Sequence, residues 1–265
     1  VTGLNGKLAI PLANTQGGYD VYIFSLPKGE VISKIANASQ PNFRFDGQRL
    51  LISSQDGNAS GIAEYNLTSG TEIKLAGVIS NSHPFYNSQG TWMISQNTNA
   101  ASASSGNHKA TGVFTQCNLA SLQQGVAPDC QDLPGLSTLL ASGQITNVKG
   151  TYPIWPATNL VVYQGCLSIQ NSERCCVFMA GALTKQNGAS QPFLRQLTSE
   201  PNDIPMDVKG NTIVFMSNVT KNWAVYAMHL NGSWVKNLST DDKAQNGFPT
   251  LSPDGHSVAF LSNRD

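Results

Sequence analysis

Charge is scarce in this sequence. Of 265 residues, 16 are Lys or Arg and 16 are Asp or Glu, 12% in all, and the net charge is zero. An ordinary domain carries about twice that fraction. A neutral chain has no positive field to draw nucleic acid and no basic face for anionic lipid. Long apolar runs are also missing. None approaches 18 residues, so no segment is expected to insert in a membrane. No charged stretch leads into an apolar one, so no signal peptide is expected within the chain. The start at Val1 rather than Met reads as a processed or cloned piece of a longer protein. The usual chemical signatures are absent too. There is no G-x-S-x-G elbow, no H-E-x-x-H, no Walker loop and no G-x-G-x-x-G. No D-x-D-x-D-G loop for calcium occurs. The five Cys are not in paired C-x-x-C spacing, so neither a metal nor a cofactor is expected.

What is present is an uncharged polar surface around an adequate core. Apolar residues make up 40% of the chain, enough to keep it from being disordered. Within it lies a repeat. Pro41, Pro84, Pro153, Pro205 and Pro249 each open a short strand, at spacings of 43, 69, 52 and 44 residues. Proline is tolerated there because its missing N–H breaks no ladder bond. A turn follows each one, as in Phe45-Asp46-Gly47, Ser88-Gln89-Gly90 and Pro253-Asp254-Gly255. Such turns supply the positive φ of a tight hairpin. Then comes a nearly continuous apolar strand: Arg49–Ile52, Thr91–Ile94, Leu160–Tyr163, Thr212–Phe215, Ser257–Phe260, with Lys7–Ile10 as a sixth copy. That character suits a strand buried on both faces. A third strand and a more polar fourth close each unit, as in Ala224–Ala227 and Lys236–Ser239. Four strands per 40-odd residues, repeated, predict an all-β fold, a β-propeller of four-stranded blades.

Ser252-Pro253-Asp254-Gly255, then Val258-Ala259-Phe260, then Ser262-Asn263-Arg264-Asp265 resembles the WD40-like repeat of TolB-type propellers. Ser53–Asn58 resembles a degenerate copy of its second half, and Gln196-Leu197-Thr198 its closing Leu-Thr. The resemblance implies architecture more than function, since propellers of this type serve as periplasmic scaffolds, sensor domains and caps of serine peptidases. Six inner strands predict six blades, the last incomplete, in one propeller domain over residues 1–265. Five blades closed by the terminal segments is the alternative. The motif breaks off at Asp265, so the natural protein is expected to continue.

Three stretches exceed the period: Gln96–Thr111, Leu136–Gly150 and Gly165–Arg174. Insertions often build a binding face, although surface loops also lengthen at little cost. Cys117 and Cys130 flank one loop of a blade and invite a bridge. A bridge from Cys166 to the Cys175-Cys176 pair spans the last insertion, with the choice between the two partners open. Cys117, Cys130, Cys166 and Cys175 are the expected disulfide cysteines, each closure being worth about 3 kcal/mol. Disulfides imply an extracytoplasmic location, whether periplasm, cell surface or secreted.

The leading expectation is a non-catalytic recognition or sensor module. It binds a protein, peptide or glycan on one face, either within a membrane receptor or as a free scaffold. A tether outside the segment is compatible with this. Trp155 on an innermost strand, Trp223 at a loop end, His108 in the first insertion and Arg174 in the last are the ligand-binding candidates. His83 stands before Pro84, where other units have Gln40, Tyr152, Ile204 and Phe248, and reads as a structural residue. A peptidase cap or a glycoside-acting propeller is the enzymatic alternative. The latter needs two carboxylates about 5–10 Å apart.

Overall fold

The computed structural model describes residues 5–56, 59–75, 78, 81–97, 114–120, 122–123, 126–132, 149–157, 160–169, 172–184, 190–240 and 243–264. All regular structure among them is β. The chain falls into two compact units. The first is Val1–Ala110 with Phe114–Asp132, and the second is Thr111–Val113 with Leu133–Asp265.

The first unit holds three antiparallel sheets. One has three strands: β1 (Gly6–Ala13), β2 (Tyr19–Leu26) and β3 (Val31–Ile35). The next has four: β4 (Ala38–Phe43), β5 (Arg49–Asp56), β6 (Ala59–Asn66) and β7 (Thr71–Lys74). The third is β8 (Asn81–Tyr86), β9 (Trp92–Asn97), β10 (Phe114–Asn118) and β11 (Asp129–Asp132). The second unit holds two more four-stranded sheets. These are β12 (Lys149–Ala157), β13 (Leu160–Ile169), β14 (Ser172–Thr184) and β15 (Ser190–Gln196), then β16 (Ile204–Lys209), β17 (Thr212–Thr220), β18 (Asn222–His229) and β19 (Lys236–Asn237). It ends in a hairpin, β20 (Asn246–Leu251) with β21 (Val258–Ser262). In every four-stranded sheet the strands lie in chain order, which is the meander of a propeller blade.

Six blades were expected from six inner apolar strands, and the structure corrects that count. Five sheets have three or four strands and form the blades. The last inner run along the chain, in β21, pairs only with β20 among the described residues. An apolar run marks a strand, and a hairpin can form without the outer strands that make a blade. The first sheet lacks an innermost strand, as the sequence implied.

Why the second strand of a blade is apolar throughout is visible in β5. Leu50 and Ile52 point to the first sheet, joining Val21, Ile23, Ile35, Ala38 and Ala63. Leu51 points the other way, joining Ile62, Tyr86, Met93 and Cys117. All three are 0% exposed, because period-2 alternation sends successive side chains into two different interfaces. The turns behave as the Asp-Gly pairs require. Asp46 Oδ1 accepts the Gln48 N–H at 3.0 Å while Gly47 takes φ 65°. Gly90 (φ 66°) has a second reason to lack a side chain, since an added Cβ would fall 2.4 Å from Arg44 Cγ.

Inner strands have a ladder partner on one side only, and side chains serve the other side. The Tyr86 N–H donates to Asn42 Oδ1 at 2.8 Å, and the His83 N–H to Gln40 Oε1 at 2.8 Å. In the second unit the Leu251 N–H and the Thr250 hydroxyl both donate to Asp207 Oδ2 at 2.9 Å. Asp207 Oδ1 accepts the Val208 N–H at 2.7 Å. Partners in these inter-sheet bonds are 43 or 44 residues apart, one repeat. The buried Glu64 adds a further tie. It accepts Arg49 at 2.6 Å and, from the next sheet, the Tyr86 hydroxyl at 2.6 Å. Burial and the Glu64 charge push the Tyr86 hydroxyl pKa up, so it stays a donor.

Asp207→Ala leaves two backbone N–H groups and a hydroxyl without their acceptor. It is expected to lower unfolding stability by about 2–4 kcal/mol, read from urea unfolding curves.

Candidate functional site at the inner strands

The residue before proline is normally confined to extended backbone. Here four of them are left-handed: Gln40 (φ 52°), His83 (φ 53°), Tyr152 (φ 53°) and Phe248 (φ 52°). Each sits in a register shift of its inner strand, between Ser39 and Asn42, Ser82 and Phe85, Thr151 and Ile154, and Gly247 and Thr250. Such a bulge re-aims a side chain. A left-handed non-glycine residue costs about 1–3 kcal/mol and clusters where function needs it. Ile204-Pro205 departs from the pattern. Its irregularity lies one step later, between Pro205 and Asp207.

In the first unit the re-aimed side chains form a polar network. Gln40 Oε1 accepts the His83 N–H and the Ser53 hydroxyl, the latter at 2.5 Å. Its amide nitrogen therefore faces His83 Nε2, 2.9 Å away. An amide NH₂ only donates, so Nε2 accepts and the ring proton lies on Nδ1, 3.0 Å from Ser82 Oγ. Burial brings the His83 pKa down to about 4. The neutral ring is thus a structural group, as read from the sequence.

The second unit differs in chemistry. Phe248 is 62% exposed although its neighbours Gly247 and Pro249 are buried. Tyr152 and Ile204 are half-buried at the equivalent points of β12 and β16. The Phe248 N–H rests on Met216 Sδ at 3.2 Å. Gln245, three residues earlier, accepts the Trp223 N–H at 2.9 Å. The start of β18 is thereby tied to the same end of β20. An exposed aromatic on a rigid strand, with Ile204 one repeat earlier on the neighbouring inner strand, can seat an apolar side chain of a partner.

The residues singled out in the sequence are dispersed. Trp155 lies on β12 at 4% exposure and offers no open ring face. Trp223 is half-buried on β18, and Arg174 is exposed on β14. No hydrogen bond or ring contact joins these three among the described residues. His108 lies outside the described residues, as do most of the first two insertions. The third, Gly165–Arg174, extends the β13–β14 hairpin as paired strand from Gly165↔Cys176 to Ile169↔Ser172. Cys117 is bonded to Cys130 at 2.02 Å and Cys166 to Cys175 at 2.05 Å. Cys176 keeps a buried free thiol, whose pKa burial pushes up. Sequence reasoning missed Trp234, 54% exposed and stacked on His229 at 5.2 Å. Phe248 was visible as the equivalent of His83, but nothing in the sequence marked its exposure.

No family model matches the chain, and no curated protein matches it in sequence. Solved structures do. TolB from Acinetobacter baumannii superposes with a TM-score of 0.63 at 17% identity, over 96% of this chain and 57% of that one. A putative TolB from Agrobacterium tumefaciens gives 0.57 at 16% identity, over 88% and 73%. Pyrococcus horikoshii acylaminoacyl peptidase gives 0.54 at 12% identity, over 97% of this chain and 40% of the enzyme. This chain thus spans little more than half of the first protein and less than half of the peptidase. The fold is that of the TolB-type β-propellers.

His83 gives a pH test. Its folded pKa lies below the ordinary 6.5, so the unfolded chain binds the proton first as pH falls. The stability it supports is complete above about pH 6.5 and is lost progressively down to about pH 4, up to about 3 kcal/mol in all. His83→Gln should flatten this part of the stability-against-pH curve measured by chemical unfolding.

Proposed function

We propose that the chain is a non-catalytic, extracytoplasmic recognition module that binds a protein or peptide at the inner-strand ends of its second unit. Phe248 is the anchor, Ile204 on the neighbouring inner strand lines the seat, and Trp223, tied to Gln245, contributes beside it, while Tyr152 and Arg174 belong to the sheet beyond. The observation that carries this is Phe248 itself. A large apolar ring is held in left-handed backbone and presented to solvent, an arrangement that costs stability and gains nothing in packing. A strand framework suits the role because little ordering entropy is lost when a ligand docks. Two disulfides support an oxidising compartment. Likeness to TolB structures supports a binding module, either a free periplasmic scaffold or the sensor of a membrane receptor.

Selection of displayed peptides on the wild-type chain tests the reading. Selected binders should weaken at least about tenfold on Phe248→Ala, with the melting temperature unchanged. Binders indifferent to both Phe248→Ala and Trp223→Ala would overturn it. A second reading, a propeller that gates a serine peptidase, draws support from the likeness to the Pyrococcus enzyme. A G-x-S-x-G domain encoded beside this segment would favour it.

A further inference from the structure

The turn that joins β18 to β19 carries an aromatic residue that the fold does not use. Trp234 is 54% exposed, and Val235 beside it 56%. Trp234 is also left-handed, at φ 57°, so its backbone costs stability while its ring gains little burial. The equivalent turns of the first two sheets, residues 26–31 and 66–71, contain no aromatic residue. The ring is therefore a feature of this blade and not of the repeat.

The turn is rigid. The His229 N–H donates to Ser233 O, the Gly232 N–H to His229 O and the Leu230 N–H to Asn211 O, each at 2.8 Å. Gly232 takes φ 80° close against Leu197, where an added Cβ would fall 3.2 Å from the carbonyl oxygen. On this base the Trp234 indole lies over the His229 imidazole, with centroids 5.2 Å apart and planes 15° apart. Stacking occupies one face of the indole and leaves the other to solvent.

The imidazole is itself oriented. Asn231 Oδ1 accepts the Ser233 N–H at 3.0 Å and the Ser233 hydroxyl at 2.7 Å. An amide oxygen only accepts, so the hydroxyl proton points to Asn231, and Ser233 Oγ receives from His229 Nδ1, 3.3 Å away. In the neutral ring Nε2 is then left as an acceptor. The Asn231 amide nitrogen and the Trp234 indole N–H are donors that meet no acceptor among the described residues. Acceptor and donors thus accompany an aromatic face, and the turn has no acidic side chain.

That combination selects a ligand class. A protein partner gains most from a ring that it can enclose in a pocket, and here one face is already packed. A pyranose needs only a face. Its axial C–H groups form a flat apolar surface that an aromatic ring can cover, and its hydroxyls both donate and accept at the rim. Charge is needed on neither side, which suits a chain with 12% charged residues. We propose that the β18–β19 turn is a saccharide-binding site. Trp234 stacks on a neutral, β-1,4-linked, gluco-configured pyranose, while Asn231 and His229 bond its hydroxyls. The ring substituents of such a sugar are equatorial, so both of its faces are flat. The turn is pre-organised, so little ordering entropy is lost on binding. The site is separate from the Phe248 seat and does not depend on it.

The test titrates the whole chain with cellohexaose and with chitohexaose, read by calorimetry and by indole fluorescence. At least one should bind saturably, with a Kd of about 1 mM or tighter. Trp234→Ala should weaken that binding at least about tenfold with the melting temperature unchanged. Trp234→Phe, which keeps an aromatic face, should restore part of it. Phe248→Ala should leave saccharide affinity unchanged, which separates a failure here from a failure of the peptide reading. The proposal falls if neither hexamer binds at about 10 mM, or if Trp234→Ala binds as well as wild type. It falls equally if Trp234 proves necessary for a displayed peptide and irrelevant to both sugars, since the turn is then a protein contact.

Discussion

The innermost strand of each blade is an edge, and an edge has backbone groups with no ladder to join. A soluble protein must satisfy such groups or hide them. Here the preceding repeat does it with side chains. Gln40 and Asn42 accept from His83 and Tyr86, and Asp207 accepts from Leu251. The carriers differ in residue type, but the donors recur one repeat on. Sequence period and spatial contact are thus the same fact. The repeat length is what brings an acceptor on one strand level with a donor on the next, and the local features of the inner strands follow from it. Proline is tolerated where no ladder N–H is needed. The bulges then shift the strand so that acceptors and donors meet.

The same constraint separates the two units chemically. In the first, the re-aimed residues are Gln40 and His83, which satisfy each other. In the second, they are Tyr152 and Phe248, and Phe248 leaves apolar surface exposed. The backbone solution is shared and the side chains are free to differ. A binding surface can therefore be written onto a fixed frame without changing how the frame is held.

Much of the fold was legible in advance, for a physical reason. Strands such as Arg49–Ile52 and Thr212–Phe215 are apolar throughout because both faces are buried, and that is a property of the sequence itself. The Asp-Gly turns announced themselves through the positive φ they need. Cys117–Cys130 and the Cys166 bridge were suggested by position around loops. The blade count was not legible, because an apolar run cannot say how many strands stand outside it. The site was legible only in outline. Trp155 looked accessible by its place on an inner strand, yet alternation turned it inward, while Phe248 was turned outward by a bulge. A bulge changes facing by one residue, and that shift is decided by tertiary contacts such as Met216 against Gly247 rather than by local composition.

The inter-sheet ties have a mechanical meaning. Within a blade, neighbouring strands share ladders of many parallel bonds, as in the eight-residue register of β5 with β6. Between blades, the inner strands β4 and β8, and β16 and β20, are joined by two or three side-chain bonds and by packing. Under tension applied along the chain, each sheet is the stiff element and each boundary the compliant one. Blades would then part from one another before any of them unravels, and the contour each releases afterwards would differ from blade to blade, because the repeat spacing runs from 43 to 69 residues.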